Sequence, residues 1–144
     1  MKILAIVSSV NKDGKTAASA RSLIEGAEAV GADGSLVFLT EMDQQRCRQC
    51  DSEGWRNCRY MGRCIIEDDF QKLVEEIREA DIIVFATPVY FSDMSESIRG
   101  VLERLRRTCI TEKGSLESQG NLLSASVMRA AAGVAQSHVC TTWN

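Results

Sequence analysis

A chain of 144 residues, 44% hydrophobic and 26% charged, has the make-up of one globular domain (1–144) large enough for its own core. A net charge of −3 speaks against a nucleic-acid partner, and no apolar run is long enough to cross a bilayer as a helix. Met1 to Val7 lacks the shape of a signal peptide, so a cytoplasmic protein is expected, with its six cysteines as thiols or metal ligands rather than structural disulfides.

Ile3 to Val7 is a continuous apolar run that closes at Ser8-Ser9, as a strand buried on both faces reads. The polar segment Val10-Asn11-Lys12-Asp13-Gly14-Lys15-Thr16 follows. Ala20, Leu23, Ile24, Ala27 and Val30 then recur at helical spacing, and Gly31 stands where a C-cap glycine is expected. Ser35 to Leu39 is the next strand, which makes a βαβ unit and implies a parallel sheet. Residues 40–66 break the pattern with four cysteines and five arginines (Arg46, Arg48, Arg56, Arg59 and Arg63), and a loop this long is usually functional.

Regularity resumes at Asp68, an N-cap with Gln71 as its capping-box partner, and Phe70, Leu73, Val74, Ile77 and Ala80 form the inward stripe of that helix. Ile82 to Ala86 is a second fully buried strand. It stops at Thr87-Pro88, where the chain's single proline forces a shaped loop carrying Tyr90 and Phe91. A helix is expected from about Ser92-Asp93, with Met94, Ile98, Val101, Leu102 and Leu105 on one face. Asn121 to Val127 reads as a fourth strand, and the alanine-rich tail from Met128 shows no clear strand.

Two segments can carry chemistry in this frame. An open α/β sheet places its ligand beyond the carboxyl ends of its strands, where the 87–91 loop stands. The loop at 9–16 joins a strand to a helix N-terminus, with Ser9, Asn11 and Thr16 as side-chain donors and Gly14 for close approach, so it suits an anion; an ordinary solvated βα loop reads the same way. Gly14-Lys15-Thr16 also ends a Walker A loop, but that motif needs glycine where Ser9 stands, and the strand at 82–86 has no acidic end for magnesium.

Together, Ser9 to Thr16 and Ala86-Thr87-Pro88-Val89-Tyr90-Phe91-Ser92, with Ser95 and the helix to Arg104, resemble the flavodoxin-like NADPH-dependent FMN reductase family. The likeness runs over about residues 1–128, and the cysteine segment lies where the iron–sulfur flavoprotein branch carries its own. The resemblance implies a three-layer α/β fold, a doubly wound parallel sheet of strand order 2-1-3-4-5 with FMN beside strands 1 and 3. It implies that Ser9, Asn11, Gly14, Lys15, Thr16 and Ala17 hold the FMN phosphate, and that Thr87, Pro88, Val89, Tyr90 and Phe91 line the flavin ring. No catalytic acid, base or nucleophile is required. Two positions depart from the family pattern: Asn11 stands near a common arginine, and Ala130 to Ser137 has one glycine where a glycine-rich loop is usual.

Cys47, Cys50, Cys58 and Cys64 are spaced C-x2-C-x7-C-x5-C, which suggests a four-thiolate site. A [4Fe–4S] cluster, redox or free thiols, and zinc are the readings, in that order. Cys109 and Cys140 are isolated and read as packing residues, and His138 is given no role.

The expected function is an FMN-binding oxidoreductase moving electrons between NAD(P)H and an acceptor. The alternative is a non-catalytic electron carrier or a metal-binding structural module on the same scaffold. With no clear fifth strand after Val127, a homo-oligomer with residues 122–144 at its interface is expected.

Overall fold

The computed structural model describes residues 1–52, 58, 61–109, 126–131 and 134–139, with the backbone alone described at 109 and in the last two segments. Strand β1 (Lys2–Val7), helix α1 (Lys15–Glu28) and strand β2 (Asp33–Phe38) form the predicted βαβ unit. Helix α2 (Phe70–Glu79), strand β3 (Ile82–Ala86), a short pair β4 (Val89–Tyr90) and β5 (Asp93–Met94), helix α3 (Glu96–Cys109), and strands β6 (Ser126–Ala131) and β7 (Val134–Val139) follow.

The main sheet has the order β2-β1-β3-β6-β7. β1 lies between β2 and β3, parallel to both, with Ile6 facing Val37 on one side and Phe85 on the other. Alternate residues of β1 and β3 point to opposite faces, and each face has its own core. Ile3, Ala5, Val7, Val84 and Ala86 pack under Ala17, Ala20 and Ile24 of α1. Leu4, Ile6, Ile83 and Phe85 meet Phe70, Leu73 and Ile77 of α2 and Ile98, Val101 and Leu105 of α3. The three-layer, doubly wound arrangement is therefore as expected.

Gly31 has a φ of 85°, and its N–H bonds to Glu28 O while Ala32 N–H reaches back to Ala27 O, so the glycine closes α1 as predicted. Val30, placed in the apolar stripe, is 81% exposed instead, because α1 ends at Glu28 and Val30 lies beyond its C-cap Ala29. Gly34 lets β2 approach α1: a Cβ there would stand 2.6 Å from Ile24 Cγ2, a branched methyl locked in the core. Gly34→Ala should therefore destabilise the fold by about 1–3 kcal/mol. Thermal melting would read this as a drop of roughly 3–10 °C, and an unchanged melting temperature would show that the α1–β2 contact yields freely.

Several boundaries differ from expectation. Asp68 does not serve as a capping-box residue. The N-cap is Asp69, without a side-chain capping bond, and the Asp68 carboxylate is drawn into a buried ion pair described below. The third helix starts at Glu96 rather than near Ser92, because residues 89–94 fold into the β4–β5 hairpin, which takes up Met94.

The fourth strand begins at Ser126, and residues 121–125 of the expected strand lie outside the described residues. β6 joins β3 in parallel at Val127 opposite Phe85. A fifth strand does follow: β7 returns antiparallel along β6, with Ala131 opposite Val134 and Ser126 opposite Val139. Of the stretch Ala130 to Ser137, read as a loop after the fourth strand, residues 130–131 thus lie on β6 and residues 134–137 on β7, while 132–133 lie outside the described residues.

Candidate functional site

The two loops singled out in the sequence leave neighbouring parallel strands at their carboxyl ends, on the same side of the sheet. Ser8 N–H bonds to Ala86 O at 3.0 Å, which extends the β1–β3 ladder one step past the strands. The Ser95 and Ser8 hydroxyls then meet at 2.6 Å, and Ser95 N–H donates to Thr87 Oγ1 at 3.0 Å. Ser8, Thr87 and Ser95 are all buried. This hydroxyl junction ties the turn before α1 to the loop after β3 and to the first turn of α3. Ser95 appeared in the sequence only as part of the familiar stretch, and Ser8 only as the end of a strand; a serine directly following a buried strand was the available signal.

In the first loop, Ser9 is buried and its hydroxyl is used locally, donating to Asn11 O at 3.0 Å. Asn11 Oδ1 accepts Asp13 N–H at 3.0 Å, an Asx turn that folds the exposed tip back on itself. Gly14 is the N-cap of α1, and no side chain caps the helix, so the first N–H groups of the helix have no side-chain acceptor. A Cβ at Gly14 would stand 3.2 Å from Asn11 O, so the glycine is what allows the turn to fold this tightly. Lys15 is exposed and Thr16 half-buried, whereas the Ala17 side chain is fully buried in the core, leaving only its N–H for a ligand. Lys12 is engaged with Glu41 and with the Phe38 ring, 5.5 Å from its centroid.

In the second loop, Thr87 is buried and its hydroxyl is committed at both ends, donating to Pro88 O and accepting from Ser95 N–H, each at 3.0 Å. Pro88 and Val89 are half-buried. β4 and β5 pair as a two-residue hairpin, Val89 with Met94 and Tyr90 with Asp93, and the turn residues Phe91 and Ser92 have φ of 49° and 65°. Positive φ at both turn positions is the geometry that asparagine and glycine normally supply, and a bulky residue there is strained. Phe91 sits at the tip wholly exposed, with Tyr90 58% exposed beside it. Strain and an exposed aromatic pair on one turn are features of a ligand-holding loop.

The cysteine segment is closed at its neck. Asp43 and Asp69 exchange two bonds: Asp43 N–H to Asp69 Oδ2 at 2.7 Å, and Asp69 N–H to Asp43 O at 3.0 Å. Asp68 accepts Gln45 N–H at 2.8 Å and Phe70 N–H at 3.2 Å, and takes a two-pronged ion pair from Arg104 at 2.6 and 2.9 Å. Burial pushes the Asp68 carboxyl up, but Arg104 and the two backbone donors outweigh it and hold the group below the usual carboxylate range.

Beyond the neck, Cys47, Cys50, Cys58 and Cys64 line one pocket with Ile66 and Arg104. Cys58 is buried, Cys47 and Cys64 are half-buried, and Cys50 is exposed. Gln49, with φ 49°, turns the backbone between the first two, and Gly62 N–H bonds to Cys58 O at 2.8 Å ahead of the fourth. Burial, with the neighbouring Cys64, Cys47 and Cys50, pushes the Cys58 thiol up. Among the described residues, no three Cys, His, Asp or Glu side chains are arranged to hold a single metal ion.

Of the nearby arginines, Arg46 pairs with Glu96, Arg48 bonds to Gln45 and Arg63 is exposed. Arg56, Arg59 and Cys140 lie outside the described residues, as do the side chains of Cys109 and His138. Arg104, which the sequence offered only as the end of the helix in the family-like stretch, proves to be the most deeply buried cation described in this region, ahead of Arg107.

Comparison with known proteins gives these features a setting. The chain is 31% identical over 106 residues to an iron-sulfur flavoprotein of Archaeoglobus fulgidus, covering 74% of this chain and 49% of that protein. It is 28% identical over 104 residues to an iron-sulfur flavoprotein of Methanosarcina thermophila, covering 72% and 52%. The chain thus spans about half the length of the curated relatives it matches.

Among solved structures, RosB with a bound 8-demethyl-8-formylriboflavin-5'-phosphate intermediate is similar with a TM-score of 0.65 and 19% identity, over 92% of this chain and 54% of that one. An NAD(P)H:quinone oxidoreductase from Methanothermobacter marburgensis gives 0.61 and 19%, over 75% and 54%. Both share the fold. The pattern described as NADPH-dependent FMN reductase matches residues 1–143, and a chain carrying that pattern over nearly its whole length, on this sheet and with these two loops, belongs to the NADPH-dependent FMN reductase family.

Proposed function

We propose that the protein is an FMN-binding oxidoreductase that passes electrons between NAD(P)H and an acceptor, with its four clustered cysteines holding a [4Fe–4S] group. The observation that carries the flavin reading is the 2.6 Å contact between Ser8 and Ser95, which joins an uncapped helix N-terminus and a strained aromatic hairpin at the carboxyl ends of β1 and β3.

The residues fit the cofactor. The N–H groups of Lys15, Thr16 and Ala17, with the exposed Lys15 ammonium, would hold the FMN phosphate, while Ser9 and Asn11 shape the turn that presents them. Gly14 keeps that turn tight against Asn11. Val89, Tyr90 and Phe91 would lie along the flavin ring, with Thr87 and Pro88 fixing the hairpin's root. FMN, when bound, supplies the redox chemistry. The chain's part is to bind and orient it, and its exposed rings at Tyr90 and Phe91 offer apolar cover from water on one side.

Cys47, Cys50, Cys58 and Cys64 fit a four-cysteine iron–sulfur site as a donor set sharing one pocket, and such a group would relay single electrons toward the acceptor. Redox thiols and zinc are the other readings of the same residues. A homo-oligomer belongs to the proposal too. Among the described residues β2 and β7 are the outer strands of the main sheet, and an edge strand can pair with another copy. No helix among the described residues is long and apolar enough to cross a membrane, which accords with the proposed cytoplasmic setting.

One anaerobic preparation tests these readings. On titration with FMN the protein should take up flavin, the bound flavin should bleach with NADPH or NADH, and metal analysis should find iron. Absence of FMN uptake would overturn the flavin reading. Flavin uptake without NAD(P)H oxidation would turn the assignment to an electron carrier, and zinc in place of iron would turn the cysteine site to a structural one. A single-chain mass in light scattering at micromolar concentration would count against the oligomer.

A further inference from the structure

We infer that Arg104 is the positioning residue of the cysteine site: its guanidinium locks the neck of the loop and sets a buried positive charge against the thiol pocket, raising the reduction potential of the iron–sulfur group held there. The inference rests on the cluster reading above and goes beyond it to a residue that is not a ligand.

Arg104 lies on the inward face of α3 and is 1% exposed, stacked on the Phe70 ring at 4.0 Å. Nη1 donates to Asp68 Oδ2 at 2.6 Å and to Gln45 O at 2.9 Å, and Nη2 to Asp68 Oδ1 at 2.9 Å. One side chain therefore grips both strands of the neck, residue 45 before the cysteines and residue 68 after them. Only the planar fork of arginine offers that many donors in one fixed plane.

Its Nε is buried and meets no oxygen or nitrogen acceptor. The guanidinium lines the same pocket as the four cysteines, Cys64 among them. A thiolate sulfur in that pocket carries the charge that a buried arginine favours. Asp68 does not line the pocket, so the ion pair presents its positive end to the sulfurs. Arg107 lines it as well and is paired with the part-exposed Glu103, while Arg48 and Asp51, of opposite charge, line its outer part, which leaves Arg104 as the most deeply buried charge on the wall.

Reduction of an iron–sulfur group adds one electron and forms or breaks no bond to the protein, so the four-thiolate site becomes more negative by one charge. A fixed cation and N–H donor at the pocket wall favour that state. The charge is also set on the helix that starts at the hydroxyl junction: Ser95 and Arg104 are nine residues apart, roughly 13.5 Å along α3.

The test is an anaerobic, dye-mediated redox titration of iron-loaded wild type, Arg104→Lys and the double variant Arg104→Gln/Asp68→Asn, with iron counted per chain. FMN binding by fluorescence quenching reports whether each variant is folded. In the double variant, which removes the ion pair without leaving a buried carboxylate alone, the reduced-to-oxidised ratio at a fixed potential should fall about tenfold, a shift of about 59 mV downward. Arg104→Lys keeps the charge, so its ratio should stay within about threefold of wild type.

A double variant that holds its iron at the wild-type potential overturns the inference, as does a lysine variant that shifts as far as the double variant. Loss of iron from the double variant with FMN binding retained supports the positioning role. If wild type itself takes up no iron, the cluster reading falls and takes the potential effect with it, whereas iron uptake with unmoved potentials refutes Arg104 alone.

Discussion

Asp68→Ala is expected to lower the unfolding free energy by about 3–5 kcal/mol, because it strands the Arg104 guanidinium in the core without a counter-charge. The side chains of the pair are 1% and 0% exposed, so water cannot take over as partner. The substitution also leaves Gln45 N–H and Phe70 N–H without their acceptor. For a chain of this length, thermal unfolding should drop by roughly 10–15 °C. Asp68→Asn, which keeps an acceptor oxygen but not the charge, should fall between Asp68→Ala and wild type.

The sign of the pH dependence follows from the same pair. The Asp68 carboxyl is held below its ordinary value in the folded chain, so its stabilisation is complete above the unfolded value of about 3.9 and is lost as pH falls through the folded one. Wild type should therefore lose more stability than Asp68→Ala on acidification below about pH 4. Parallel acid limbs for the two proteins would show that the ion pair contributes nothing net.

The neck was hidden in the sequence for a physical reason. Asp68 opens a helix-like pattern with Gln71 in capping-box spacing, and local rules gave it a local partner. Its actual partner lies 36 positions away. Arg104 follows Val101 by one helical turn and shares its buried face, so a charged residue on the inward stripe was the clue that a buried counter-ion must exist.

By contrast, β1, β3 and the helix stripes were readable because continuous apolar runs and helical spacing are set by burial itself. The β4–β5 hairpin was not readable: strands of two residues carry no period, and Phe91-Ser92 lacks the glycine or asparagine that announces such a turn. Likewise the β6–β7 hairpin is built from alanine-rich sequence without alternation, where pairing register rather than composition makes the strand. The loop at 9–16 was found as a turn, but the use of the Ser9 and Thr87 hydroxyls on the backbone appears only in three dimensions.

Thr87→Val should weaken FMN binding roughly tenfold, which corresponds to about 1.4 kcal/mol. Valine keeps the shape of threonine and the buried packing, so the change isolates the hydroxyl. That oxygen links the hairpin's root to the backbone at the start of α3, accepting Ser95 N–H and donating to Pro88 O. Without it, a buried N–H and a carbonyl lose their partners, a loss of about 1–3 kcal/mol that the loop can relieve only by moving. Movement there displaces Tyr90 and Phe91, which reach outward from the same root and carry the strained turn.

Ser95→Ala makes the informative comparison, since it keeps the Ser95 N–H bond to Thr87 and removes the hydroxyl contacts with Ser8 at 2.6 Å and Ser97 at 3.2 Å. Its effect on FMN affinity should be smaller, about threefold, because a neutral hydroxyl pair contributes about 1 kcal/mol or less. Titrating each variant with FMN by fluorescence quenching, beside its melting curve, separates the two roles of the junction. A Thr87→Val protein that melts earlier but binds FMN like wild type would mean the junction supports the fold alone. Weaker binding at an unchanged melting temperature would mean that the hydroxyls act mainly to hold the aromatic hairpin in place for the flavin.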